Sequence, residues 1–89
     1  MAQLSTLGSI TRMILYPDGQ KAYVGDLISI DAGLHTGTVK RIVESQQDVA
    51  AFGVHAVGLI VDTDAYGQAF IATKEIKEDE VTLLSRHAV

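Results

Sequence analysis

Val24-Gly25-Asp26-Leu27-Ile28-Ser29-Ile30-Asp31, taken with Thr38-Val39-Lys40-Arg41-Ile42-Val43-Glu44, decides the fold of this 89-residue chain. In the first stretch Ile28 and Ile30 share one face of an extended strand and Ser29 and Asp31 the other, with Leu27 breaking strict alternation. In the second, Val39, Arg41 and Val43 fall on one face and Lys40 and Ile42 on the opposite one. Faces mixed in this way imply a bend or a bulge. Between the two strands, Ala32-Gly33-Leu34-His35-Thr36-Gly37 has no periodicity and two glycines, and reads as a loop.

Working outward, Pro17-Asp18-Gly19 predicts a turn joining Ile10–Tyr16 to Lys21–Val24, because proline pre-sets φ and Asp-Gly accepts the positive φ of a reversal. Ser45 to Gly53 predicts the one helix. Ser45 is placed to cap its start, Asp48 stands three residues on, and Gly53 occupies the left-handed position at its end, with Val49 and Phe52 turned toward the sheet. Leu59-Ile60-Val61 is a strand whose faces alternation does not assign, and Asp62–Gly67 is a hairpin connection to a strand over Gln68–Thr73. Lys74–Glu80 is a charged connection, with room for one helical turn, before Val81–Ser85 closes the sheet. Residues 1–9 and 86–89 are expected to be loose ends of a single domain spanning 1–89. A mostly β fold follows, either a small barrel or a strongly bent antiparallel sheet of five to six strands with one short helix, since closure or bending limits exposed edges.

The motif Val24-Gly25-Asp26-Leu27-Ile28-Ser29-Ile30 followed by Gly37-Thr38-Val39 resembles the opening of SH3-like small barrels of the KOW type and of type II dihydrofolate reductases. The resemblance covers about half the chain. It implies barrels too small to be comfortable alone, joined through apolar strands. In the reductases a strand bearing Val-Gln-Ile-Tyr reads the ligands in a pore shared by four subunits. The corresponding stretch here is Gly67-Gln68-Ala69-Phe70-Ile71, where Gln68 matches in type and Phe70 lacks the tyrosine hydroxyl. In size and style the chain is also similar to orphan proteins encoded on mobile gene cassettes.

Composition narrows the function classes. With 47% hydrophobic and 20% charged residues the chain is a folded globular domain rather than a disordered one. Seven Lys and Arg against eleven Asp and Glu leave a net charge of −4, which disfavours a general nucleic-acid binder. No cysteine means no disulfide, thiolate metal site or Cys nucleophile. The chain lacks the pattern of a signal peptide or a membrane span, so the sequence reads as soluble, cytoplasmic and free of membrane contact. A domain this small buries about 60% of its unfolded surface, which favours sharing a core or seam with a partner.

Few residues carry a chemical signal. Asp62-Thr63-Asp64-Ala65-Tyr66-Gly67 has the acidic spacing and sixth-position glycine of a calcium loop, but Tyr66 stands at the fifth position and Thr73 at the twelfth, where a bidentate Glu belongs. No metal site or cofactor is expected. His35, between two glycines that let a guest approach, is the best placed of the histidines for ligand contact, with Tyr66 and Gln68 beside it as candidates. Lys40 and Arg41 are the residues an RNA-binding loop would use. Leu27, Leu59 and Phe70 are candidates for a subunit seam. No hydroxyl sits in a nucleophile motif and no phosphate-cradling glycine loop occurs. The expectation is therefore a non-enzymatic binding or assembly module, a homo-oligomer with room for a protein partner. The alternatives are a small-ligand binder or enzyme with a site between subunits and, behind it, an RNA-binding small barrel.

Overall fold

The computed structural model describes residues 13–86, and the first strand among them falls on the alternating stretch around Ile28 and Ile30. Strand β1 (Leu27–Ile30) buries Ile28 and Ile30 and pairs antiparallel with β2 (His35–Val43). Helix α1 (Gln46–Phe52) follows, then β3 (Gly58–Thr63), β4 (Gly67–Ala72), helix α2 (Thr73–Glu78) and β5 (Thr82–Ser85). The strands form one antiparallel sheet in the order β4-β3-β2-β1-β5. Since β4 and β5 stand at opposite ends of that order without pairing, the bent open sheet, and not the closed barrel, is the fold.

The expected bulge lies at Lys40. Val39 pairs with Val61, yet Arg41 pairs with Ile60, so Lys40 has no partner of its own. That extra residue resolves the mixed faces, because it inverts the pleat beyond it. Val39 and Ile42 now pack with the core that holds Ile28, Ile30, Leu59, Val61 and Ile71, while Arg41 and Val43 fall on the outer face. A second register shift separates Leu27 from Ile28 where β1 meets β5.

Helix α1 forms as its end signals require. The Ser45 hydroxyl accepts from the Asp48 N–H at 3.1 Å, and Gly53, at φ 69°, lets the Val54 N–H reach the Val49 carbonyl. No residue of α1 is buried, however, and Phe52 is exposed rather than pinned in the core. With so little packing behind it, α1 depends on its caps. Ser45→Ala is expected to cost about 1 kcal/mol and to lower helicity over 46–52, measured by urea unfolding and amide exchange.

Several expectations need correction. Among the described residues there are two helices rather than one: Lys74–Glu80 lies largely within α2, which packs against β3 and β4 and buries Ile76. Its start lacks a Ser or Asn cap, and the Glu75 carboxylate instead accepts from the Ala72 N–H at 3.0 Å. Its end uses Glu80 at φ 50°, which lets the Val81 N–H bond to the Ile76 carbonyl and buries both side chains. The expected loop over Ala32–Gly37 shrinks to a turn over residues 31–34, and His35, Thr36 and Gly37 belong to β2. Asp31 and Ala32 both take left-handed φ there, and their N–H groups are held by the Asp79 carbonyl at the end of α2. The first hairpin is reduced to an isolated bridge between Leu15 and Lys21, although Ile14, Tyr16 and Ala22 from it are buried in the core; residues 10–12 of that strand lie outside the described residues. The loose ends at 1–9 and 87–89 also lie outside them, whereas Arg86 is engaged with the body of the domain. No helix among the described residues is long and apolar enough to cross a membrane.

Candidate functional site

Three polar constellations stand on this frame. The most buried is centred on Asp26, which has no solvent exposure. The tight turn before β1, with Gly25 at φ 97°, directs the Asp26 carboxylate inward. There it accepts from the Tyr16 hydroxyl at 2.6 Å, the Tyr23 N–H at 3.0 Å and the Arg86 guanidinium at 2.9 and 3.0 Å. Arg86 also donates to the Lys21 carbonyl at 2.8 Å and lies over the Tyr23 ring at 4.6 Å. Burial opposes ionisation of Asp26, but the bonds from Arg86, Tyr16 and the Tyr23 N–H outweigh it and hold the carboxyl below its usual range. Burial, then the bond to Asp26, pushes the Tyr16 phenol far above its usual range. A carboxylate that accepts four hydrogen bonds and has no access to solvent is a structural clasp, joining the first hairpin, the start of β1 and the residue that follows β5. In the sequence Asp26 stands out only as part of a strand motif, since nothing local shows that Tyr16 and Arg86, 10 and 60 residues away, converge on it.

The second constellation contains His35 and Tyr66. The three-residue connection between β3 and β4 brings the Tyr66 ring edge-on to His35, with centroids 5.8 Å apart. Asp64 lies 3.8 Å from His35 Nδ1 and accepts from the Thr36 hydroxyl at 3.2 Å. The Thr36 proton is directed to the carboxylate and not to the imidazole, so these residues do not form a nucleophile, base and orienting acid in series. Asp62 to Gly67 serves as the hairpin connection, with the Thr63 hydroxyl donating to the Gly67 carbonyl at 2.6 Å and accepting from the Tyr66 N–H. Among the described residues no group of three His, Asp or Glu side chains could hold a metal ion.

Gln68 does not join His35 and Tyr66. It belongs to a third constellation, on the outer face of β2, β3 and β4. Cross-strand register sets Arg41, Ile60 and Phe70 in one row and Thr38, Asp62 and Gln68 in another, with the bulged Lys40 between them on β2. Phe52 and Val54, at and beyond the end of α1, form a wall. The result is an open groove of about 350 Å³ floored by Ile60 and Phe70, continuing past Arg41 and Gln68 to Lys40 and Asp62. The Arg41 guanidinium lies 5.8 Å from the Phe52 ring centroid, and His55 stands edge-on to Phe70 at 5.3 Å. Lys40 and Arg41 lie on strand β2, as the extended pattern of Thr38–Glu44 predicts, and Arg41 stands beside the Phe52 ring.

The seam candidates separate. Phe70 is half-buried on the outer face and Leu27 is partly exposed on β1, but Leu59 is fully buried in the core and has no surface to offer a second subunit. The α2 end carries a further charge feature: burial, then Asp31, Glu75 and Glu78, pushes the Asp79 carboxyl upward. Comparison with protein-family models, with curated proteins and with solved structures finds no match.

Proposed function

We propose that the chain is a non-enzymatic binding and assembly module that self-associates through the outer edge of β4. The observation that carries this reading is the make-up of that edge. Gly67-Gln68-Ala69-Phe70-Ile71-Ala72 holds no charged residue and no proline, and among the described residues it is paired on one side only. Folded proteins keep such edges from pairing with lysine, proline or a bulge, and β4 has none of these. A second β4 in antiparallel register satisfies the free backbone groups and sets Phe70 of each copy near the seam. The small size of the domain supports the same reading. Strand β5 returns from beyond β4 to pair with β1, the strand that begins the meander, and this ordering supports the resemblance to SH3-like small barrels.

Light scattering coupled to size exclusion tests it. The expected result is a dimer mass that persists at high micromolar concentration and falls to the monomer mass in the double variant Gln68→Lys, Phe70→Lys, with the circular dichroism of a folded chain retained. A monomer mass for the wild type up to about 1 mM, where association would be worth no more than about 4 kcal/mol, overturns the reading.

A further inference from the structure

Independently of self-association, we infer that the outer-face groove binds a nucleotide unit, a planar base carrying phosphate. The floor offers an apolar surface, with Phe70 of β4 and its cross-strand partner Ile60 side by side. Phe52 lines the groove from α1 and remains 41% exposed, and a base laid on an exposed ring gains stacking area that water does not supply. The groove then changes character along its length. Past Phe70 its walls become Gln68, Arg41, Lys40 and Asp62. An amide with both donor and acceptor next to a base plane suits hydrogen bonding to a base edge. Arg41 supplies the fork that matches phosphate oxygens, and it is steadied by the Phe52 ring.

Charge points the same way. On a chain of net charge −4, this stretch gathers two cations against the single carboxylate of Asp62. A neutral aromatic ligand would leave Lys40 and Arg41 unused, and a simple anion would leave Phe52 and Phe70 unused. The apolar part of the groove, about 350 Å³, falls at the small end of the range for ligand sites, and the polar stretch that adjoins it adds an open region of about 570 Å³. The bulge at Lys40 is what brings these groups together, since it turns Arg41 to the face that Phe70 occupies.

Titration of the isotope-labelled protein with adenosine monophosphate, followed by amide chemical shifts, tests the inference. Adenosine and ribose 5-phosphate serve as the two halves of the ligand. The expected result is saturable movement of the Arg41, Phe52 and Phe70 resonances, with each half binding at least about tenfold more weakly than the whole. Phe52→Ala and Arg41→Ala are each expected to weaken binding by about 5- to 100-fold with unchanged melting temperature, since both side chains are exposed. A hexa-adenylate strand distinguishes the source of the ligand. Tighter binding than the mononucleotide, with a salt slope of about −0.7 per phosphate contacted, identifies a single strand as the occupant, and equal binding identifies the free nucleotide. Absence of saturable shifts at millimolar mononucleotide, ribose 5-phosphate binding as well as the whole, or unchanged binding by both variants overturns the inference. Arg41 and Phe52 lie on β2 and α1, off the β4 edge, so their replacement leaves the oligomer mass unchanged and separates this test from that of assembly.

Discussion

Asp26→Ala is expected to destabilise the protein by about 3 kcal/mol or more, a large part of the stability available to a domain of this size. The substitution leaves the hydroxyl of Tyr16, a residue only 2% exposed, and the Tyr23 N–H without their acceptor, and it opens a cavity where the carboxylate stood. Arg86 loses its partner as well, although it lies at the surface and can turn to water. The accompanying pH dependence separates this clasp from simple loss of packing. The carboxyl is held below its usual range in the folded state, so its contribution is fully present above the unfolded value, about pH 4, and is lost as pH falls through the folded value. Tyr16 acts at the other end. Its folded phenol resists ionisation, so its contribution is present below about pH 10 and declines as pH rises beyond that. Urea midpoints across pH are expected to fall at both extremes for the wild type. Asp26→Asn flattens the acid limb and Tyr16→Phe the alkaline one. A variant series in which both limbs keep their wild-type slopes refutes the assignment.

Gly58→Ala is the second large effect, expected at about 3 kcal/mol or beyond, or failure to fold. Gly58 begins β3 opposite Ala72, and a Cβ there would meet the Ile71 carbonyl oxygen, with the Ala72 Cα only 2.8 Å away. Both obstacles are backbone, so no rotamer change relieves them, and the strands would have to part where β4 leads into α2. Gly37→Ala is the comparison. Its Cβ would lie 3.2 Å from the Asp62 carbonyl oxygen, which asks for a shift of a few tenths of an ångström, and its cost is expected to be smaller. Thermal melting of the two variants side by side checks the order; equal losses would refute the steric account.

Much of this was legible along the chain. The β1 alternation, the α1 caps and the Asp62–Gly67 hairpin are short-range signals, written within a few residues of where they act. The bulge in β2 was legible as a conflict, because Val39 and Val43 could not both face the core with Arg41 between them. Helix α2 was less so, since its start is capped by Glu75 reaching back to a backbone N–H and its end uses Glu80 where glycine is customary. Phe52 carried the periodicity of a core residue and stands at the surface, in a helix none of whose residues is buried.

The sequence by itself determined the local pieces: strands where apolar residues alternate, reversals where glycine or Asp-Gly permits them, one helix between two good caps, and a composition without disulfides or basic excess. Only the tertiary structure decided which distant residues meet. Asp26 gained Arg86 because β1 and β5 pair, and Tyr16 because the first hairpin packs against the same core; His35 gained Tyr66 because the β3–β4 connection lies beside the start of β2, and Gln68 was carried to Arg41. The physical reason is that periodicity and turn chemistry act over a few residues, whereas a site is fixed by register between strands. One unpaired residue at Lys40 is enough to move every side chain beyond it to the other face.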